Sequence, residues 1–255
     1  MKVDVRNLGY KEVNEKLRET DGECTLTGCL GQRFLAAGMS DKKITLEGVP
    51  GNALGAYLNG AEITVLGNAQ DAVGDTMNEG RIVINGNIGD AAGYAMRGGR
   101  IFVRNNAGYR AGIHMKAYKE KIPVMVIGGS AGSFLGEYQA GGVIVVLGLS
   151  DDSEGKASKA ESAFGPEKSR RIVGNFPCTG MHGGKMFLRT DGTGIAFPKQ
   201  VSARPAQEED LAELRKYVKE YCELFGCDFD AVMNAPFTVV TPESRNPYKQ
   251  LYVAN

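Results

Sequence analysis

Ile44-Thr45-Leu46-Glu47-Gly48 recurs as Ile63-Thr64-Val65-Leu66-Gly67, as Ile82-Val83-Ile84-Asn85-Gly86 and as Ile101-Phe102-Val103-Arg104-Asn105, each copy 19 residues after the one before. Two further copies, Val124 to Gly128 and Ile144 to Gly148, follow after steps of 23 and 20. A step held over this length signals stacked repeats. The segment is β-branched with period two, so Ile63 and Val65 face one way as they would in a strand. A 19-residue unit is too short for a helical hairpin. Each unit is therefore one coil of strands and corners, paired in parallel with its neighbours about 4.8 Å away. A left-handed β-helix would show a hexapeptide rhythm with steps near ~18, which is absent. The predicted fold is all-β: a single-stranded right-handed parallel β-helix.

Other columns keep the register. Eleven residues after each strand start stand Gly55, Gly74, Gly93 and Gly112. Fourteen after stand Leu58, Met77, Met96, Met115 and, counted from Val124, Tyr138. The glycine column reads as a corner needing positive φ, and the Met/Leu column as a core row. Asn68, Asn87 and Asn106 form a third column, suited to left-handed backbone and to a ladder of identical side chains. The 35 glycines, 21 of them between Gly48 and Gly148, fit many tight corners rather than flexible linkers. The longer fifth step places a surface loop at Lys116 to Lys121.

Bulk properties agree with an ordinary globular protein: 255 residues, 42% hydrophobic, and 30 basic against 30 acidic side chains. The balanced charge gives no field favouring nucleic acid or an anionic membrane. Met1 to Tyr10 is too polar for a signal peptide, and no apolar run reaches the roughly 18 residues of a membrane span. A cytoplasmic protein is expected. Five cysteines spread along the chain do not make a disulfide framework, so reduced thiols are expected.

Residues 1–200 are read as the β-helix domain, with an excursion near 150–176 where the polar stretch Ser150 to Arg171 breaks the pattern. Gly180-Met181-His182-Gly183-Gly184-Lys185-Met186-Phe187-Leu188-Arg189 matches Ala95 to Arg104 and supplies a terminal coil. Cys24 to Gly28 and Gly31-Gln32-Arg33-Phe34 read as a degenerate first coil. From Pro205 to Phe225, Leu211, Leu214, Val218, Tyr221 and Phe225 form a helical stripe ended by Gly226. Asp228 is placed to cap a second short helix, and Phe237 to Val240 reads as a strand. Because a terminal coil exposes unpaired edges, residues 201–255 are expected to cap the stack.

Chemistry-bearing residues are few. His182 stands at the repeat position of Arg97, and His114 sits between Ile113 and Met115; both read as coil positions. Cys24 and Cys29, like Cys222 and Cys227, are separated by four residues, wider than zinc motifs use, and residues at i and i+5 do not share a helix face. Cys178 near His182 suggests a thiol and a base, without an orienting acid. Asp71 and Asp90 form a carboxylate column of the kind sugar-active β-helices use. Gly128-Gly129-Ser130-Ala131-Gly132 precedes another strand rather than a helix, unlike a dinucleotide fingerprint. No catalytic, cofactor or metal site residue is assigned.

The succession Gly31-Gln32-Arg33-Phe34 through Gly48, Gly51-Asn52-Ala53, Gly67-Asn68-Ala69, Asp71-Ala72-Val73-Gly74 and Arg100-Ile101-Phe102-Val103-Arg104-Asn105 resembles the carboxy-terminal GXGXG domain of the glutamate synthase large subunit. It is also similar to the related scaffold chain of formylmethanofuran dehydrogenase. The resemblance covers roughly residues 24–190 and implies a right-handed β-helix without chemistry of its own. In that family the glutaminase nucleophile is an amino-terminal cysteine, whereas this chain begins Met1-Lys2-Val3. FMN and an iron-sulfur cluster belong to a synthase domain. The resemblance thus implies a stand-alone, split-form structural subunit in glutamate biosynthesis, itself binding no cofactor. Its implied partners are an FMN-domain subunit and a glutaminase subunit, with self-association also open. The alternatives are a scaffold in a molybdenum or tungsten formylmethanofuran dehydrogenase, or a polysaccharide-active β-helix enzyme.

Overall fold

The computed structural model describes residues 1–149 and 171–243. Most of the excursion placed at 150–176 therefore lies outside the described residues, as do residues 244–255 of the tail. The fold is a parallel β-helix. Nine strands run parallel in sequence order: β1 (Lys2–Asp4), β2 (Glu23–Leu30), β3 (Lys43–Val49), β4 (Asn59–Val65), β5 (Glu79–Ile84), β6 (Arg100–Val103), β7 (Val124–Ile127), β8 (Ala140–Val146) and β9 (Gly183–Leu188). Helix α1 (Tyr10–Glu19) precedes β2. After β9 come β10 (Val201–Pro205), α2 (Glu208–Phe225), α3 (Phe229–Met233) and β11 (Thr238–Pro242).

The repeat is visible in the pairing. Ile44, Ile63, Ile82 and Ile101 stand in register and continue through Met125, Ile144 and Met186. All are buried in one continuous core cluster. Leu58, Met77, Met96 and Met115 are each fully buried in the same core. A second interior row, Ala69, Ile88, Ala107, Ala131 and Val173, pairs residue by residue on another face. The asparagine column is a ladder: Asn68 Oδ1 accepts the backbone N–H of Asn87 at 2.8 Å, and Asn87 Oδ1 accepts that of Asn106 at 3.1 Å. Asn106 Oδ1 then accepts the N–H of Ser130 at 2.8 Å.

Two expectations shift by one residue. Met125, not Val124, sits above Ile101, so the steps around the insertion are 24 and 19 rather than 23 and 20. Val124-Met125-Val126 is apolar throughout, and alternation alone does not choose between its faces. Consequently Tyr138 leaves the core row for the surface, 37% exposed, and Gln139 takes its place at 0%. The inserted residues form the expected loop, with Lys121 Nζ 2.9 Å from Glu79.

Both ends of the stack are closed. At the first coil, α1 places Val13 and Leu17 in the core, and its buried Asn14 bonds the Phe34 carbonyl and the Ala36 N–H, each at 2.8 Å. At the last coil, β11 pairs antiparallel with β9, and β10 with β11, so the edge is finished by a reversed hairpin. Helix α2 lies on the outer face of the sheet instead. Along that face the outward residues change from half-buried Thr45 and Thr64 to Val83, Phe102, Val126, Val145 and Phe187. The last four form a second core with Leu214, Val218 and Tyr221 of α2.

Candidate functional site

Apart from Cys222 and Cys227, which meet at the end of α2, the residues singled out by chemistry do not converge. Cys178 is fully buried at a corner and its thiol faces the Met186 sulfur at 3.6 Å, while burial pushes its pKa up to about 12. His182 instead has Nδ1 3.0 Å from the Gly180 carbonyl. A thiolate–imidazole pair is not assembled there. Cys24 and Cys29 are both buried, and desolvation raises Cys29 to about 11. Among the described residues, no three His, Cys, Asp or Glu side chains gather as metal ligands.

The carboxylate column has backbone work. Asp71 Oδ1 accepts the N–H of Asp90 at 2.9 Å, and Asp90 Oδ1 accepts that of Tyr109 at 2.7 Å. Each carboxylate thus satisfies a donor of the next coil, the role asparagine plays one column away. The glycine string at 128–132 is equally structural: Ala131 pairs with Ala107 and Val173, and a side chain on Gly128 would collide with the Tyr221 hydroxyl.

What the structure does gather is an exposed aromatic corner that the sequence alone did not single out. His114 stacks on Tyr138 with ring centres 5.1 Å apart, and Tyr94 meets His114 edge-on at 5.9 Å. Nearby Phe134 stacks on Phe176 at 5.3 Å, with the Arg110 guanidinium 4.9 Å above the Phe134 ring. Glu137 holds Arg110 at 3.1 Å. Phe176 is 62% exposed and Tyr94 41%. His114 is a coil position, as its neighbours imply, but its φ of 55° turns it outward at a corner. The signal for the cluster is the 24-residue offset of Arg110 and Phe134 and of His114 and Tyr138, which becomes readable once Met125 sets the register. Such clusters of partly exposed aromatics beside arginine are typical of protein interfaces.

The coil stack and its motif succession define a member of the GXGXG motif family, which matches residues 10–243; the chain belongs to that family. The chain is 41% identical to the uncharacterized protein MJ1350 of Methanocaldococcus jannaschii, over 98% of this chain and 95% of that one. Its fold is also similar to a chain in the crystal structure of the formyltransferase/hydrolase complex of Methylorubrum extorquens, solved with methylofuran. That likeness has a TM-score of 0.61 and 22% identity, over 85% of this chain and 71% of the other. No helix among the described residues is long and apolar enough to cross a membrane.

Proposed function

We propose that this protein is a structural subunit of a multi-subunit enzyme complex, contributing a stiff surface rather than a reaction centre. The aromatic corner formed by Tyr94, His114, Tyr138, Phe134 and Phe176 carries the proposal. Aromatic side chains left stacked at a surface are what a partner chain covers. The motif succession supports a glutamate synthase type of complex, in which the partners are an FMN-containing synthase subunit and a glutaminase subunit. The stiffness of parallel coils would hold two centres in register, and a misplacement of about 1 Å at a reacting group can cost about 100-fold in rate.

A second reading has its own support. The similar solved chain belongs to a formyltransferase/hydrolase complex that was solved with methylofuran. On this reading the chain is a scaffold in a formylmethanofuran dehydrogenase type of enzyme, and the same corner would meet different neighbours.

Affinity purification of the native protein separates the two. A yellow complex containing a glutaminase supports the first, and a complex carrying molybdenum or tungsten the second. Elution as a free chain from fresh extract would defeat both. Within either complex, the double variant Phe134→Ala/Phe176→Ala is expected to weaken association at least ~10-fold, as for loss of about 1.4 kcal/mol or more, while leaving the melting temperature nearly unchanged.

A further inference from the structure

Cys222 and Cys227, five positions apart, would lie on different faces of a continuous helix. The helix does not continue. It ends at Phe225, and Gly226 adopts φ 71° and ψ 31°, a left-handed conformation open to glycine. The chain turns back so sharply that the N–H groups of Gly226 and Cys227 both donate to the Cys222 carbonyl, at 2.8 and 3.2 Å. That closure is the left-handed turn in which side chains at these two positions meet, and the Cys222 thiol and the Cys227 sulfur are hydrogen-bond partners across it, the approach a disulfide requires.

We propose that Cys222 and Cys227 are a redox-active dithiol: Cys227 is captured by a low-molecular-weight disulfide, and Cys222 then closes an intramolecular disulfide across the end of α2. In the first step the Cys227 thiolate attacks one sulfur of the small disulfide. Its S–S bond breaks, and one small thiol leaves with a proton. In the second, Cys222 loses its proton and attacks the Cys227 sulfur, and the second small thiol leaves. The protein loses two hydrogens, and the small disulfide is reduced to two thiols.

The site has the asymmetry this sequence needs. Cys227 is half-buried and reachable, whereas Cys222 is 6% exposed and serves as the inner, resolving thiol. The Cys222 thiol donates to the Cys227 sulfur and the Arg104 cation lies near it, so Cys227 is drawn below the usual thiol value against the opposing effect of burial. Cys222 is raised by the same contact and by burial, and remains the protonated partner. The other three cysteines, Cys24, Cys29 and Cys178, are buried and raised by desolvation. Attack is thereby directed to one thiol of the five.

The disulfide would tie the end of α2 to the start of α3, both packed in the second core.

The test uses the full-length protein, fully reduced, with oxidised glutathione as the small disulfide. The five free thiols are expected to fall to three under native conditions. The peptides bearing Cys222 and Cys227 should lose two hydrogens by mass spectrometry. Cys222→Ser is expected to stop at a glutathione adduct on Cys227, and Cys227→Ser to remain unmodified. Retention of all five thiols, a lasting adduct on the wild-type protein, or oxidation at Cys24, Cys29 or Cys178 instead would each overturn the proposal.

Discussion

At Gly93, φ is +66° and an added Cβ would stand 2.6 Å from the Met125 methyl group, so two independent penalties meet at one corner. Gly93→Val is expected to cost about 1–3 kcal/mol from backbone strain, before any displacement of Met125, and to lower the melting temperature by several degrees. An unchanged melting curve would place the strain elsewhere. Gln139 poses a different question, because it is the one amide in a row of methionines and leucine. Its Nε2 donates to the carbonyls of Gly141 and Gly142, both at 3.2 Å, where the β8 strand slips register, while its Oε1 is buried without a partner. Gln139→Met removes a donor and an orphaned acceptor together. Since the lost hydrogen bonds are offset by relief of the unpaired buried acceptor, the expected change in a urea titration is within about 1 kcal/mol. Gln139→Glu would bury a charge at the same place and is expected to cost several kcal/mol at neutral pH. The glycine corners were legible in the sequence because no other residue recurs there. The corner carried by Ala53, Ala72 and Ala91, with φ of 62°, 54° and 53°, was not, since alanine gives no sign of left-handed backbone.

Helix α2 is held on the sheet by contacts of different worth. Glu220 pairs with Arg81 at 3.5 Å and with Arg100, and Lys185 pairs with Glu213 at 2.6 Å, but these cations are more than a third exposed and screened by water. More specific is Tyr221, whose hydroxyl donates to the Arg104 carbonyl at 2.8 Å through the notch left by Gly128. Tyr221→Phe keeps the packing and loses that bond, so a cost of about 1 kcal/mol is expected by chemical denaturation. Asp210 anchors the other end: it pairs with Arg204 at 2.6 Å and accepts the Gln207 N–H at 3.0 Å. The Arg204 hydrogen bond holds its pKa below the usual carboxylate value. A depressed folded pKa means stability that is present above about pH 4 and lost as pH falls through the folded value. Asp210→Asn should therefore cost about 1–2 kcal/mol at pH 7, discounted for the exposure of Arg204, and the gap should close as pH falls below about 4 through the folded value. A gap that persists in acid would assign the effect to helix capping alone. The stripe from Leu211 to Phe225 made α2 legible, and Asp228 caps α3 through the Ala231 N–H as expected. Its resting place was also written, in the change from Thr45 and Thr64 to Phe102 and Phe187, but only a settled register lets that column be read. Helix α1 is hard to read from sequence because its short run shows only Val13 and Leu17 as apolar anchors, and its third buried residue is Asn14.

For the molecule as a whole, the question is which core is self-sufficient. The interior cluster runs from Val5 to Val240 through every coil, and each coil leans chiefly on its neighbours. The outer cluster is different, because Phe102, Val126, Val145 and Phe187 are all 0% exposed only while α2 covers them. Opening four such side chains forfeits up to roughly 1.5–3 kcal/mol each, and the sum rivals the roughly 5–15 kcal/mol that stabilises a whole domain. Removing residues 201–243 would also free the β9 edge that β11 now pairs. Yet the parallel hydrogen bonds and the interior rows from β2 to β8 involve none of those residues. A chain truncated after residue 200 is therefore expected to retain strand-type circular dichroism while associating through its open sheet face and edge, with a mass by light scattering well above that of one chain. Detergent below denaturing concentration should disperse it. A truncated chain that stays monomeric and melts like the full-length protein would show that α2 is an appendage, and that the outer face of the stack needs no cover.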